Sequence, residues 1–168
     1  RIINRFNLGG PTYNAAYLTK YLPERYETLL LGGMKDVSED SSQFIVENLG
    51  ITPTILPEMR RSVNPYRDYK AFQEIKSIIR NFKPDIVHTH ASKPGALGRW
   101  AAHQMKVPVI IHTFHGHVFH SYFNEFTTGI YKRLERRLAK MSTRIIAISD
   151  KQKEELALHH EICPADKI

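Results

Sequence analysis

Short apolar runs rich in β-branched residues alternate along the whole chain with longer stretches of helical period, and no other feature restricts the fold as much. RIIN, ETLLL, ITPTIL, DIVHTH, VPVIIHTF and RIIAIS read as six strands. After Asp68, the expected N-cap, Ala71, Phe72, Ile75, Ile78, Ile79 and Phe82 fall on one helical stripe, with Lys70, Glu74, Lys76 and Arg80 off it. Leu97, Trp100, Ala101, Gln104 and Met105 outline a second helix entered through Ser92 and Pro94, and Ser149 and Gln152 stand at capping-box spacing after the last strand. The pattern predicts an α/β fold: a Rossmann-like open parallel sheet of about six strands with helices on both faces. Ligands of such a sheet sit beyond the carboxyl ends of its strands.

With 168 residues and 42% hydrophobic content the chain suits one domain. It opens on Arg1 and the apolar pair Ile2-Ile3, as if it began inside a strand of a longer protein. The polar stretch from Gly32 to Ser42 reads as a loop leading into a helix rather than as a linker. A net charge of +7 favours anionic partners such as acidic lipid or sugar phosphates. Nucleic acid is not expected, because no aromatic-basic motif accompanies the charge. The single Cys163 excludes an internal disulfide framework, and no apolar run approaches the roughly 20 residues of a membrane span. A cytoplasmic domain is the expectation.

Gly9 and Gly10 lie in NLGGP, between the first strand and the first helix. Paired glycines there either let backbone N–H groups approach an anion at the helix N-terminus or form a tight turn at positive φ. The G-x-G-x-x-G fingerprint of redox dinucleotide sites is missing. Histidines are the second concentration of chemistry, seven of the nine lying between His88 and His120. Alternation in DIVHTH puts Ile86, His88 and His90 on one face, His88 within the sheet packing and His90 nearer its mouth, better placed for a ligand. In HTFHGHVFH, alternation sets His112 with Ile110 and Phe114 inside the packing and His115 beyond the strand end, with His120 at the surface. His115, His117 and His120 would supply three zinc ligands if the loop curls. With no cysteine nearby and no H-E-x-x-H motif, however, no metal is expected. Further on, Ile130, Leu134, Leu138 and Met141 form a stripe expected to face the core. Lys132, Arg133, Arg136, Arg137 and Lys140 occupy the rest of that helix, as a solvated face or a contact for anionic lipid.

In their order NLGGP, KPDIVHTHASKPGALGRWAA, VPVIIHTFHGHVFHSYF and RIIAISDKQKEEL, these segments resemble the N-terminal domain of bacterial family 4 glycosyltransferases of GT-B architecture. Two of them are similar to a subgroup that builds capsular, exopolysaccharide or lipopolysaccharide sugars. The resemblance implies a retaining transferase, independent of metal and cofactor, in which two Rossmann-like domains face each other. Residues 1–168 would be the acceptor-side domain, and the donor domain with its Glu-x7-Glu pair is absent from them. Carried over by position, Gly9 and Gly10 match the loop near the donor diphosphate and His115 the histidine near the transferred sugar. His90, Lys93 and Gly95 match positions facing the cleft. His115 is therefore the expected catalytic residue, with Gly116 letting the backbone come close and His117 shaping the acceptor side. The implied partners are a nucleotide-sugar donor, a glycan or lipid-linked acceptor, and a peripheral contact with the anionic inner face of the cell membrane. Two other functions fit the same residues. A UDP-sugar 2-epimerase of the same architecture needs acidic general acid–base groups in the cleft, where only Glu125 is near the histidines. A non-catalytic sugar-phosphate binding domain is the other.

Overall fold

The computed structural model describes residues 1–35, 40–116 and 125–168. Strands β1 (Ile2–Arg5), β2 (Leu31–Gly33), β3 (Thr54–Ile55), β4 (Ile86–His90), β5 (Val109–Phe114) and β6 (Arg144–Ala147) form one sheet in the order β3-β2-β1-β4-β5-β6. Every pairing is parallel. Between the strands run helices α1 (Gly10–Lys20), α2 (Gln43–Asn48), α3 (Pro65–Phe82), α4 (Ser92–Gln104) and α5 (Glu125–Met141), with α6 (Asp150–Glu154) after β6. The order turns back between β1 and β4, so these two strands flank the switch point at which an open α/β sheet leaves a crevice.

Ile2 and Ile3 show why both residues of the opening pair are apolar: successive strand residues point to opposite faces, and both faces are covered. Ile2, Leu31, Val87 and Ile110 pack with Ala71, Ile75 and Ile79 of α3 and Ala101 and Ala102 of α4. Ile3, Phe6 and Leu30 pack on the other face with Ala15 and Ala16 of α1 and Ile45 and Val46 of α2. Phe114, Ala139 and Ile145 join α5 to the far edge, with Leu156, Ile162 and Cys163 closing that cluster. No described helix is long and apolar enough to cross a membrane.

Three local expectations are corrected. Helix α3 begins at Pro65, with Asn64 as its cap: the Asn64 side chain accepts from the Arg67 N–H at 3.0 Å, and the Asp68 carboxylate accepts from the Asn64 N–H at 3.1 Å. Asp68 is the reciprocal partner in the cap, one turn inside the helix, and proline at the first helical position was the overlooked start signal. Strand β2 starts where ETLLL ends and runs into the stretch read as a loop. Its glycines serve packing, since a Cβ on Gly33 would stand 1.8 Å from the Met59 carbonyl oxygen. Finally, the apolar stripe of α5 faces the core only toward its C-terminal end. Ile130 is 54% and Leu134 40% exposed, while Glu135, Leu138 and Ala139 are buried. The cause is Glu135, whose Oε2 lies 2.6 Å from Nη2 of the wholly buried Arg99 of α4. A charge pair inside the core turns the helix, and counting apolar residues cannot anticipate it.

Candidate functional site

Alternation along β4 and β5 divides the histidines between the two faces of the sheet. On one face His112 is fully buried beneath α4, its ring edge-on to Phe114 at 4.6 Å. The Thr89 hydroxyl lies 2.8 Å from His112 Nδ1 and 3.4 Å from the Ile111 carbonyl oxygen. Because His112 Nε2 is buried without a partner among the described residues, the Nδ1–H tautomer, donating to Thr89, leaves only a lone pair unused. Gly95 is buried in α4 directly above this ring: a Cβ there would lie 2.5 Å from His112 Cε1 and 3.2 Å from Arg99 Nη2. The position matched to the cleft is thus a point of close helix–sheet packing.

The other face carries His88, His90 and His115 in a row. The rings of His88 and His90 lie 4.1 Å apart, and those of His90 and His115 stack at 5.2 Å. His88 Nε2 is 2.7 Å from the Thr113 hydroxyl, and His90 Nδ1 is 2.9 Å from His115 Nε2. His90 is fully buried and His115 only half-buried, so of the two it is His115 that a ligand can reach. Burial penalises the charged imidazole, holding His88 at about 3, His90 and His112 far below the usual histidine range, and His115 below it as well. All four are neutral at physiological pH and act as hydrogen-bonding groups rather than as cations.

On the β1 side of the crevice, Gly9 is extended (φ 162) and caps α1 without a side chain. Gly10 does not have positive φ, and a Cβ on it would meet nothing within 4 Å. Neither backbone conformation nor packing requires glycine at position 10, which removes the tight-turn explanation and leaves an open approach to the helix N-terminus. Helix α4, which begins beside His90, also lacks a side-chain cap, and the residue before it, Ala91, has φ 66 and ψ 169. That region is nearly confined to glycine and costs a non-glycine residue about 1–3 kcal/mol. Two uncapped helix starts therefore face the switch point, each the positive end of a helix dipole. Lys93 adds no free charge to them: its Nζ is 2.7 Å from Asp68 Oδ1 and also donates to the Ser62 carbonyl, tying α4 to the start of α3.

Sequence reading missed one anchor. Gln152, 3% exposed, donates from Nε2 to the Gly116 carbonyl at 2.8 Å and accepts from the Ile148 N–H at 2.9 Å. Its spacing from Ser149 signalled the cap, which forms at 3.2 Å, but not the second role of holding the segment after β5. His117 and His120 lie outside the described residues, as does the side chain of Glu125. Among the described residues, no three histidines, cysteines or carboxylates stand together as a metal site.

The model of Glycosyltransferase Family 4 matches residues 8–168. Over 99 residues, 59% of this chain and 26% of the relative, the sequence is 38% identical to the UDP-Gal:alpha-D-GlcNAc-diphosphoundecaprenol alpha-1,3-galactosyltransferase of Escherichia coli. Over 146 residues it is 31% identical to the UDP-N-acetylglucosamine--N-acetylmuramyl-(pentapeptide) pyrophosphoryl-undecaprenol N-acetylglucosamine transferase of Lactococcus lactis, covering 80% of this chain and 38% of that protein. The chain thus spans about a quarter to two fifths of these relatives. Among solved structures, a glycosyltransferase from Rickettsia africae superposes with a TM-score of 0.69 at 20% identity, over 99% of this chain and 40% of that one. The UDP-GlcNAc 2-epimerase of Neisseria meningitidis superposes with 0.67 at 16% identity, over 99% and 44%. At such identities the likeness is one of fold.

Proposed function

The chain belongs to Glycosyltransferase Family 4, and we propose on that footing that the protein moves a sugar from a nucleotide-sugar donor to a glycan or lipid-linked acceptor of the cell envelope. Residues 1–168 form the acceptor-side domain in this reading, and the donor is held mainly by chain outside them. The observation that carries it is the placement, at the carboxyl ends of neighbouring strands, of the open Gly9–Gly10 helix start after β1 and the neutral, half-buried His115 after β5, which hydrogen-bonds to His90 of the intervening β4. Two of the relatives are by name transferases acting on undecaprenol-linked substrates, which supports a lipid-linked acceptor.

The donor diphosphate sits at the N-terminus of α1, where the backbone N–H groups of the Gly9–Gly10 pair and the helix dipole favour an anion; Pro11 has no N–H, and Thr12 and Tyr13 direct theirs to the Gly9 carbonyl. His115 hydrogen-bonds the reacting sugar and supports charge developing at its ring. Gly116 admits the backbone, Gln152 holds its carbonyl, and His117 shapes the acceptor side. No step requires a metal ion, so EDTA should leave turnover unchanged. Gly10→Val tests the loop directly. Because a Cβ at Gly10 meets no protein atom, the variant should keep its melting temperature while KM for the nucleotide sugar rises on the order of tenfold or more, the scale of one lost hydrogen bond to a charged group. Unchanged donor kinetics would reduce the loop to a connection.

We further propose that the protein works at the inner face of the cell membrane and docks there through α5. At about 100° per residue, the exposed Phe126, Ile130 and Leu134 share one helix face with the exposed Arg133, Arg137 and Lys140. Apolar anchors flanked by cations suit an interface of anionic headgroups, where each basic residue contributes about 1 kcal/mol. Sedimentation with anionic vesicles should fall at least tenfold when Arg133, Arg137 and Lys140 are all changed to Gln, and the wild-type contact should weaken with salt. Equal sedimentation of both proteins would remove α5 from the contact.

A further inference from the structure

The resemblance places His90 at the cleft, and in the structure it is fully buried, its link to the site among the described residues running through His115. At 2.9 Å between His90 Nδ1 and His115 Nε2, one nitrogen donates and the other accepts, and two arrangements are available. If His115 Nε2–H donated, His90 would carry its remaining proton on Nε2, an atom that is buried and has no partner among the described residues. Buried N–H groups without an acceptor are among the rarest unsatisfied groups, whereas a bare ring nitrogen leaves only a lone pair unused. The cheaper arrangement places the proton on His90 Nδ1. The His88 ring, tilted against His90 with centroids 4.1 Å apart, holds the His90 ring in place for that bond.

We infer that His90 is a positioning residue whose Nδ1–H donates to His115 Nε2, fixing His115 as the Nδ1–H tautomer so that its remaining nitrogen offers a donor to the ligand. The hydrogen bond on one ring nitrogen sets the tautomer of the whole ring. A donor suits a sugar hydroxyl or ring oxygen gathering negative charge, and the other tautomer would present only a lone pair. The inference deepens the transferase reading and rests on it for its kinetic consequence, but not for the tautomer itself.

The test combines nitrogen-15 NMR of the His115 ring with kinetics on the intact protein, for wild type, His90→Asn and His90→Phe. The asparagine amide nitrogen offers a donor near the place of histidine Nδ1, whereas phenylalanine keeps a ring against His88 and removes the donor. Wild type and His90→Asn should show His115 protonated on Nδ1, and His90→Phe should lose that preference. With it, kcat should fall about tenfold to a hundredfold at little changed KM, the range known for hydrogen-bond partners that orient metal-bound histidines, and His90→Asn should restore most of it. Wild-type His115 protonated on Nε2 would overturn the inference even if the phenylalanine variant failed to fold. So would an unchanged tautomer in a folded His90→Phe protein. Since the tautomer is read without turnover, a protein that transfers no sugar but shows the expected ring states would contradict the transferase reading and leave the positioning role standing.

Discussion

Replacing His115 by alanine is expected to lower kcat by about 10²–10³-fold with the fold intact, the scale found when a preorganised group that stabilises transition-state charge is removed. The fold should survive because His115 lies past the last residue of β5 and is only half-buried, so little packing depends on its ring. His112, three residues earlier, should behave in the opposite way. Its buried ring fills the space that Gly95 leaves in α4 and accounts for the bond to Thr89. His112→Ala should therefore lower the melting temperature first and the rate only through loss of folded protein. Steady-state kinetics beside thermal melts of the two variants separate the roles, and a wild-type rate in His115→Ala would end the catalytic assignment.

The second large effect falls on stability. Glu135→Leu is expected to destabilise the protein by about 3–5 kcal/mol, because it leaves the guanidinium of Arg99 buried without its counter-charge. The rest of Arg99 is already at its limit: Nε donates to the Gly95 carbonyl at 2.7 Å, and Nη1 has no partner among the described residues. For a domain of this size the loss corresponds to a fall in melting temperature on the order of 10 °C. Replacing both partners, Arg99→Met with Glu135→Leu, should recover most of it, since apolar groups of similar volume often substitute for a buried ion pair at little cost. If the single variant melts within 2–3 °C of wild type, a shift worth only about 1 kcal/mol, the pair does not hold α4 to α5.

The sheet was legible in the sequence because buried parallel strands leave runs of apolar β-branched residues, and all six runs found their strands. The division of the histidines was legible too, since alternation needs only parity: His112 falls with Ile110 and Phe114, and His115 falls beyond the strand. What could not be read were relations between residues distant in the chain. The Arg99–Glu135 pair spans 36 positions, the Gln152–Gly116 bond another 36 and the His90–His115 bond 25. Each depends on which faces meet after folding, and no periodicity within one element reports that. Gly95 shows the same limit from the other side. The resemblance places it facing the cleft, and only the folded chain shows the ring of His112 directly beneath it.

Sugar transfer is the function proposed for this fold, with its open helix start at Gly10 and its neutral His115. The most direct measurement incubates the intact protein with UDP-sugars, with and without a diphosphoundecaprenol-linked sugar acceptor, and follows both the mass of the lipid and the configuration of the sugar nucleotide. The acceptor should gain one sugar while UDP is released in equal amount, and His115→Ala should suppress both. Conversion of the sugar nucleotide to its C2 epimer, with no gain in acceptor mass, would contradict the proposed transfer.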